Sequence, residues 1–285
     1  MSRNEDRLGL GTNPNSDQSP APAVGSDGPA FSWSVPTEFV ELPSQGIFYP
    51  AGHPLAGQKT VEIRYMTAKE EDILTSRSLL KEGVALDRML QNILVDSAID
   101  INSLLVGDKN ALLVAARRTG YGPEYETRVV CPSCDTAQEY SFDISEPPCN
   151  NFAKEAEEWG VNLTADGLVG IKLPMTGVEV ICRLLTSADE AKLLKEIERK
   201  SKKKQDSAAA TDAFRSYIVS VNGDDSIFTI ESFVQSMPAR DARFLRNVYS
   251  AIIPNIVLDQ NFECSNCGYE ADMEVPLGLD FFWPK

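Results

Sequence analysis

Histidine is almost absent from this chain: of 285 residues, His53 is the only one. A lone imidazole has no second imidazole with which to share a metal, and no serine or cysteine forms a recognisable nucleophilic pattern with it. It reads as an incidental loop residue. A Gly-rich phosphate loop is missing too. Adjacent acid pairs such as Glu70-Glu71 and Asp224-Asp225 do not face each other on a helix, so they read as caps and surface charge. The sequence therefore nominates no catalytic residue, and the expectation is a non-enzymatic protein without a small-molecule substrate. Positive charge is also short. Lys and Arg number 27 against 42 Asp and Glu, a net charge of −15. Broad nucleic-acid binding needs basic side chains to neutralise phosphates, so this balance argues against it. No apolar run approaches the roughly 18 residues of a membrane span. No signal-peptide pattern stands at the start, so a reducing compartment is expected.

Cysteine is sparse as well, with six in the chain, but four of them are arranged. Cys131-Pro132-Ser133-Cys134 and Cys264-Ser265-Asn266-Cys267 are two CxxC pairs. Each is flanked by strand-like residues, Arg128-Val129-Val130 and Glu139-Tyr140-Ser141-Phe142 around the first, Asn261-Phe262-Glu263 and Ala271 to Val275 around the second. Two residues between cysteines make a tight knuckle that aims both thiolates at one metal, and two knuckles complete a tetrahedral site. One structural Zn(II) per chain, held by Cys131, Cys134, Cys264 and Cys267 in a zinc ribbon, is the expectation. A disulfide within each pair is the competing reading, disfavoured in a reducing compartment. Four cysteine ligands leave no open position for water or substrate, so such a site holds a fold together and does not catalyse. The gap between the pairs, about 130 residues, far exceeds the roughly 15 to 20 of a simple ribbon.

The order of elements accounts for that gap. Val61-Glu62-Ile63-Arg64-Tyr65-Met66 alternates like a strand, and Thr67 with Glu70 then opens a helix running through Leu74, Leu79 and Leu80. Helices are expected over about Leu86–Val95 and from Asp108, the latter ending at Tyr121-Gly122-Pro123 before a strand into Cys131. After a linker at 146–151, a strand over Val178–Leu185 leads to Thr186 and Asp189, a second cap. Its helix turns basic across 199–204, a solvated face or a contact for nucleic acid or an acidic partner. Helices near Thr211–Val221 and Asp241–Ala251 precede the strand into Cys264. Val61–Thr67 thus aligns with Val180–Thr186, and Asp108 and Asp241 each lie 23 residues before the first cysteine of a knuckle.

We read one unit written twice: an α+β fold of two pseudo-duplicated helical lobes with short strands. A single zinc ribbon, formed from two distant CxxC hairpins, would join them about a pseudo-twofold axis. The boundaries expected are a disordered tail over 1–30, a first lobe over 31–148 and a second over 149–285. Cys182 aligns with Ile63 and reads as a small buried apolar residue, and Cys149 as a free thiol in a Pro-rich loop. The terminal Phe281-Phe282-Trp283 either seals the core or anchors a neighbouring subunit.

Several words of the sequence carry a resemblance. Leu42-Pro-Ser-Gln-Gly-Ile-Phe-Tyr-Pro50, Val61–Thr67 with Glu70-Glu71, Gly107-Asp108, Arg117, Tyr121-Gly122, the two knuckles and Phe281–Pro284 resemble, in that order, the baseplate hub protein family of T-even-like contractile-tailed bacteriophages. The resemblance spans about residues 38 to 284. It implies a structural or assembly role in the baseplate hub, with other tail and hub proteins as partners. It implies a location in the virion tail, or in the host cytoplasm during assembly, and it implies no catalytic residues. A zinc-ribbon nucleic-acid-binding factor is the alternative.

Overall fold

The computed structural model describes residues 34–150, 152–202, 209–275, 277 and 279–282. The tail expected over 1–30 and Lys203 and Lys204 of the basic run lie outside them. Strands β1 (Thr37–Glu41) and β2 (Thr60–Arg64) form an antiparallel hairpin in which Val40 opposes Val61, and both are buried. Their long connection begins at Leu42-Pro43-Ser44-Gln45-Gly46, with Gln45 and Gly46 left-handed at φ 49° and 74°. Further along it, the Tyr49 ring stacks on His53 at 4.4 Å. His53 Nδ1 accepts from the Leu55 amide at 3.1 Å, so its Nε2–H is the donor toward Ser103 Oγ at 2.9 Å. The single histidine thus pins this loop to the segment before the central helix.

Thr67 caps α1 (Ala68–Thr75) in a capping box, its amide and hydroxyl donating to Glu70 Oε2 at 2.8 and 2.6 Å. The single helix expected through Leu80 is two. It breaks at Ser76, where ψ is 111°, and resumes as α2 (Arg77–Glu82). Thr75, Ser76 and Ser78 hydrogen-bond locally around the break, the competition with helix that hydroxyl side chains supply. Helix α3 (Ala85–Ile93) then presents Met89, Leu90 and Ile93 to the core. Helix α4 (Val106–Tyr121) is central, with every residue from Ala111 to Arg117 buried. At its start the helix backbone lies so close to another segment that a Cβ on Gly107 would stand 1.8 Å from the Pro254 carbonyl oxygen. Only glycine permits that approach. The chain then enters the hairpin β3 (Glu124–Val130) and β4 (Ala137–Asp143).

The second half opens with elements the sequence reading passed over: α5 (Phe152–Trp159), β5 (Asn162–Leu163) and β6 (Val169–Lys172). The turn Leu173-Pro174-Met175-Thr176-Gly177 leads into β7 (Glu179–Cys182), and α6 (Ser187–Lys202) and α7 (Ala209–Tyr217) follow. The helix expected to reach Val221 stops at Tyr217. The β-branched Ile218, Val219 and Val221 instead form β8 (Ile218–Val221), with Val221 paired to Val180 of β7. Strands β5-β6-β7-β8 make one antiparallel sheet in that order. Helix α8 (Ile227–Ser236) precedes α9 (Ala239–Ile252), and a second hairpin of β9 (Asp259–Glu263) and β10 (Glu270–Glu274) ends near a 3-10 turn at Leu279–Phe282. The fold is α+β.

Thr186 and Asp189 also form a reciprocal cap, with the Thr186 hydroxyl donating to Asp189 Oδ2 at 2.8 Å and accepting from the Asp189 amide at 3.3 Å. Arg183 reaches the same carboxylate at 2.5 Å and holds it down to about 2. A carboxyl whose folded-state pKa lies below its unfolded value stabilises the fold above that unfolded value, near 4, and the contribution disappears as pH falls toward 2. Asp189→Asn is therefore expected to flatten the fall in thermal midpoint between pH 4 and 2 relative to the wild type. Parallel melting curves across that range check it, and superimposable pH profiles would disprove it.

Two further acids sit in the first turns of the longer inner helices, each fully buried and each accepting from a Leu-Pro-x-x-Gly turn. Asp108 on α4 takes the Ser44 amide at 3.0 Å, the Ser44 hydroxyl at 2.6 Å and the Tyr49 hydroxyl at 2.7 Å. Asp241 on α9 takes the amides of Met175 and Thr176 at 2.9 and 3.0 Å and the Thr176 hydroxyl at 2.7 Å. Burial pushes the Asp108 carboxyl up against these bonds. At Asp241 burial pushes the same way, but the bonds from Thr176 and Met175 outweigh it and the carboxyl is lowered.

Candidate metal centre

Each CxxC pair sits at the turn of a hairpin built the same way. The Cys131 amide donates to Thr136 O and the Asp135 amide to Cys131 O, both at 2.9 Å. At the second knuckle Cys264 donates to Tyr269 O and Gly268 to Cys264 O, again both at 2.9 Å. The residue after the second cysteine is left-handed in both, Asp135 at φ 55° and Gly268 at φ 67°. These turns fold the thiols of one pair to the same side.

The two hairpins lie face to face. Tyr140 OH donates to Asn261 O at 2.7 Å, and Gln138 Nε2 to Glu263 O at 3.0 Å. Gln138 Oε1 accepts from both the amide and the hydroxyl of Ser265 at 3.0 Å. Beneath them, the Tyr140 ring packs on Phe142 and Phe262, both fully buried. The consequence is that all four sulfurs of Cys131, Cys134, Cys264 and Cys267 fall within 4.8 Å of one another. The short separations cross between hairpins, Cys131 to Cys267 at 3.8 Å and Cys134 to Cys264 at 3.7 Å. A tetrahedron with metal–sulfur bonds of about 2.3 Å has edges of about 3.8 Å. A disulfide requires about 2.05 Å, so the thiols are free here.

Cys131 and Cys264 are buried, Cys134 is half-buried and Cys267 exposed. Cys134 Sγ is hydrogen-bonded to the Thr136 hydroxyl at 3.3 Å and accepts from Asn266 Nδ2 at 3.6 Å, and these bonds, with one to the Thr136 backbone, hold that thiol down to about 6. A backbone bond at Tyr269 pulls the Cys267 thiol down, yet its three sulfur neighbours push it up to about 12. Four thiols so close cannot all ionise alone, because each thiolate opposes the next. A cation among them removes the conflict. The four cysteines can hold a metal ion, and they fit a four-coordinate one.

The supporting residues Thr136, Gln138, Tyr140, Ser265 and Asn266 were not nominated by the sequence, where only their nearness to the cysteines marks them. The other nominated residues lie apart from the cluster. Phe281 and Phe282 are buried in the chain's own core, the Phe281 ring 4.9 Å from Tyr125 and its carbonyl accepting from Arg117 Nε at 2.8 Å. Trp283 is outside the described residues. Cys182 is buried in β7, its thiol pushed up to about 12 by burial, and the exposed Cys149 pairs its backbone with Ile256.

Among the described residues no helix is long and apolar enough to cross a membrane. A search of the curated proteins gave no match, and neither did a search of the solved structures. A family model described as T4 bacteriophage base plate protein matches residues 47–283, which takes in both knuckles and nearly everything between β1 and the end. The chain belongs to the T4 bacteriophage base plate protein family.

Proposed function

We propose that the chain is a non-enzymatic structural or assembly component of the baseplate hub, in which one zinc ion locks two duplicated lobes together. The observation that carries the mechanical role is the convergence of two cysteine pairs from opposite halves of the chain on one cluster. Zinc suits an all-sulfur tetrahedral set, and cross-hairpin sulfur separations of 3.7 and 3.8 Å agree with its bond length. When bound, zinc would supply charge neutralisation and four bonds, with no vacant position for chemistry. Cys131, Cys134, Cys264 and Cys267 would orient the hairpins, and Thr136 and Asn266 would steady the Cys134 sulfur.

Several repeats of spacing support the duplication. Helices α4 and α9 start at residues 106 and 239, β4 and β10 at 137 and 270, and the knuckles at 131 and 264. Each difference is 133 residues. Under that correspondence the pair Cys131/Cys267 maps onto Cys264/Cys134, as a twofold axis through the metal requires. The buried Asp108 and Asp241, each gripping a Leu-Pro-x-x-Gly turn, extend the repeat to features that spacing alone did not reveal. The lobes would be 31–148 and 149–285, tied also by Asn110, whose Nδ2 donates to Asn255 Oδ1 at 3.3 Å. An anchoring role for Phe281, Phe282 and Trp283 on a neighbour would require the two phenylalanines to leave their burial, so we assign them to the core.

Family membership implies other baseplate proteins as partners and the virion tail as the place of action. In lysates of infected cells the chain is expected to co-sediment with central baseplate proteins before tails are complete. Its absence from those particles would overturn the hub reading. Binding of the purified chain to DNA that weakens steeply with salt would favour the nucleic-acid alternative instead.

A further inference from the structure

In helix α8, Ile227, Ile230 and Val234 form a stripe of helical period that continues to the C-cap Met237, with Phe233 beside it. Ile230, Phe233, Val234 and Met237 pack on or into the core, but Ile227 is 80% exposed. Phe228 beside it is also 80% exposed, on the opposite face shared with Glu231, Ser232 and Gln235. Both stand at the first turn of the helix, where neither is covered by the core. The same local turn has another outcome earlier in the chain. Asp96 Oδ1 accepts from the Ala98 amide and Asp224 Oδ1 from the Ser226 amide, each at 2.9 Å. Ile99, next after the first turn, is 4% exposed, whereas Ile227, next after the second, stands in solvent.

Acid surrounds the exposed pair: Asp224 and Asp225 precede it and both are exposed. Hydrogen bonds from Thr229 and Ser226 hold the Asp224 carboxyl below its ordinary value, so it is charged near neutrality. We propose that Ile227 and Phe228 form an apolar plug that seats in an apolar pocket rimmed by Lys or Arg on another baseplate protein. A second copy of this chain is the wrong occupant, because patch-to-patch contact would bring Asp224 and Asp225 of two copies, each of net charge −15, against one another. Adjacent exposed isoleucine and phenylalanine offer the kind of compact anchor on which binding energy concentrates.

The partner class rests on the baseplate reading, and the experiment separates the two. Phage encoding the chain with Ile227→Ser and Phe228→Ser are compared with wild type for the fraction of chain found in baseplate particles. Loss of such an anchor weakens binding roughly 30-fold or more, so incorporation is expected to collapse while the purified variant melts within about 2 °C of wild type and keeps its metal content. Asp225→Lys, which leaves the apolar pair intact, is expected to reduce incorporation as well. Normal incorporation of both variants overturns the plug and leaves the baseplate reading standing. A wild-type chain missing from the particles overturns both. A melting fall of many degrees in the double variant, or a wild-type dimer in solution that it abolishes, overturns the plug by showing that the pair serves the fold or a second copy.

Discussion

Purified under reducing conditions, the chain is expected to carry one zinc, and Cys131→Ser and Cys264→Ser are each expected to abolish it. The two substitutions lie in different hairpins, so a shared loss is the signature of a shared site. Structural zinc contributes about 10–16 kcal/mol in small sites near neutral pH, comparable with the whole stability of a folded domain, about 5–15 kcal/mol. The core of this chain is larger than that of a zinc finger, so partial structure should survive. We expect the thermal midpoint to fall by about 15 °C or more in both variants, and in the wild type after strong chelation. Cys149→Ser, at an exposed position outside the cluster, should leave metal and midpoint unchanged. Metal analysis beside calorimetry decides it. Zinc retained after either knuckle substitution would mean that the two hairpins do not share one ion.

The second large effect is expected at Asp108. Replacing it with alanine removes the acceptor for the Ser44 amide, the Ser44 hydroxyl and the Tyr49 hydroxyl, all buried. A buried donor without a partner costs about 1–3 kcal/mol, so the sum is about 3 kcal/mol or more, a fall of roughly 6–12 °C for a chain of this size. Asp108→Asn retains one acceptor oxygen and presents an amide to two hydroxyls able to accept, so it should recover part of the loss. Asp241→Ala should cost less, about 1 kcal/mol, because its turn is open and Met175 is 62% exposed, so water replaces the lost acceptor. Equal losses at the two positions in a calorimetric comparison would show that exposure of the Met175-Thr176 turn does not soften the loss at Asp241.

The cysteine hairpins were legible because their signal is local: two residues between thiols dictate the turn, and alternating flanks dictate the strands. Their meeting was legible because one knuckle supplies half of a tetrahedral site and needs the other, while the recurring order of strand, cap and helix accounted for the long gap between them. What escaped the reading did so for identifiable reasons. Leu173-Pro174-Met175-Thr176-Gly177 repeats the form of Leu42-Pro43-Ser44-Gln45-Gly46, but Pro174 lies 6 residues before Val180 and Pro43 lies 18 before Val61, which breaks a simple alignment. Ile227 to Val234 is rich in β-branched and aromatic residues yet forms a helix, propensity yielding to packing. Ile218 took the reverse path, leaving a helical run to satisfy the edge of β7. Arg117 was noted only as a word of the family pattern. Its partners, the carbonyls of Phe281, Gly122 and Glu124, belong to backbone whose position no residue type announces.

The wide separation of the two knuckles also sets a timetable for synthesis. The second knuckle is translated 133 residues after the first (264 less 131), a delay of roughly 7 to 27 s at bacterial elongation rates. During that interval the nascent chain offers half a coordination sphere, which holds metal weakly and loses it readily. In the proposed zinc ribbon the ion would be secured only once the second hairpin has left the ribosome. Metal capture would then be a checkpoint on completeness, one that a chain truncated before Cys264 would never pass.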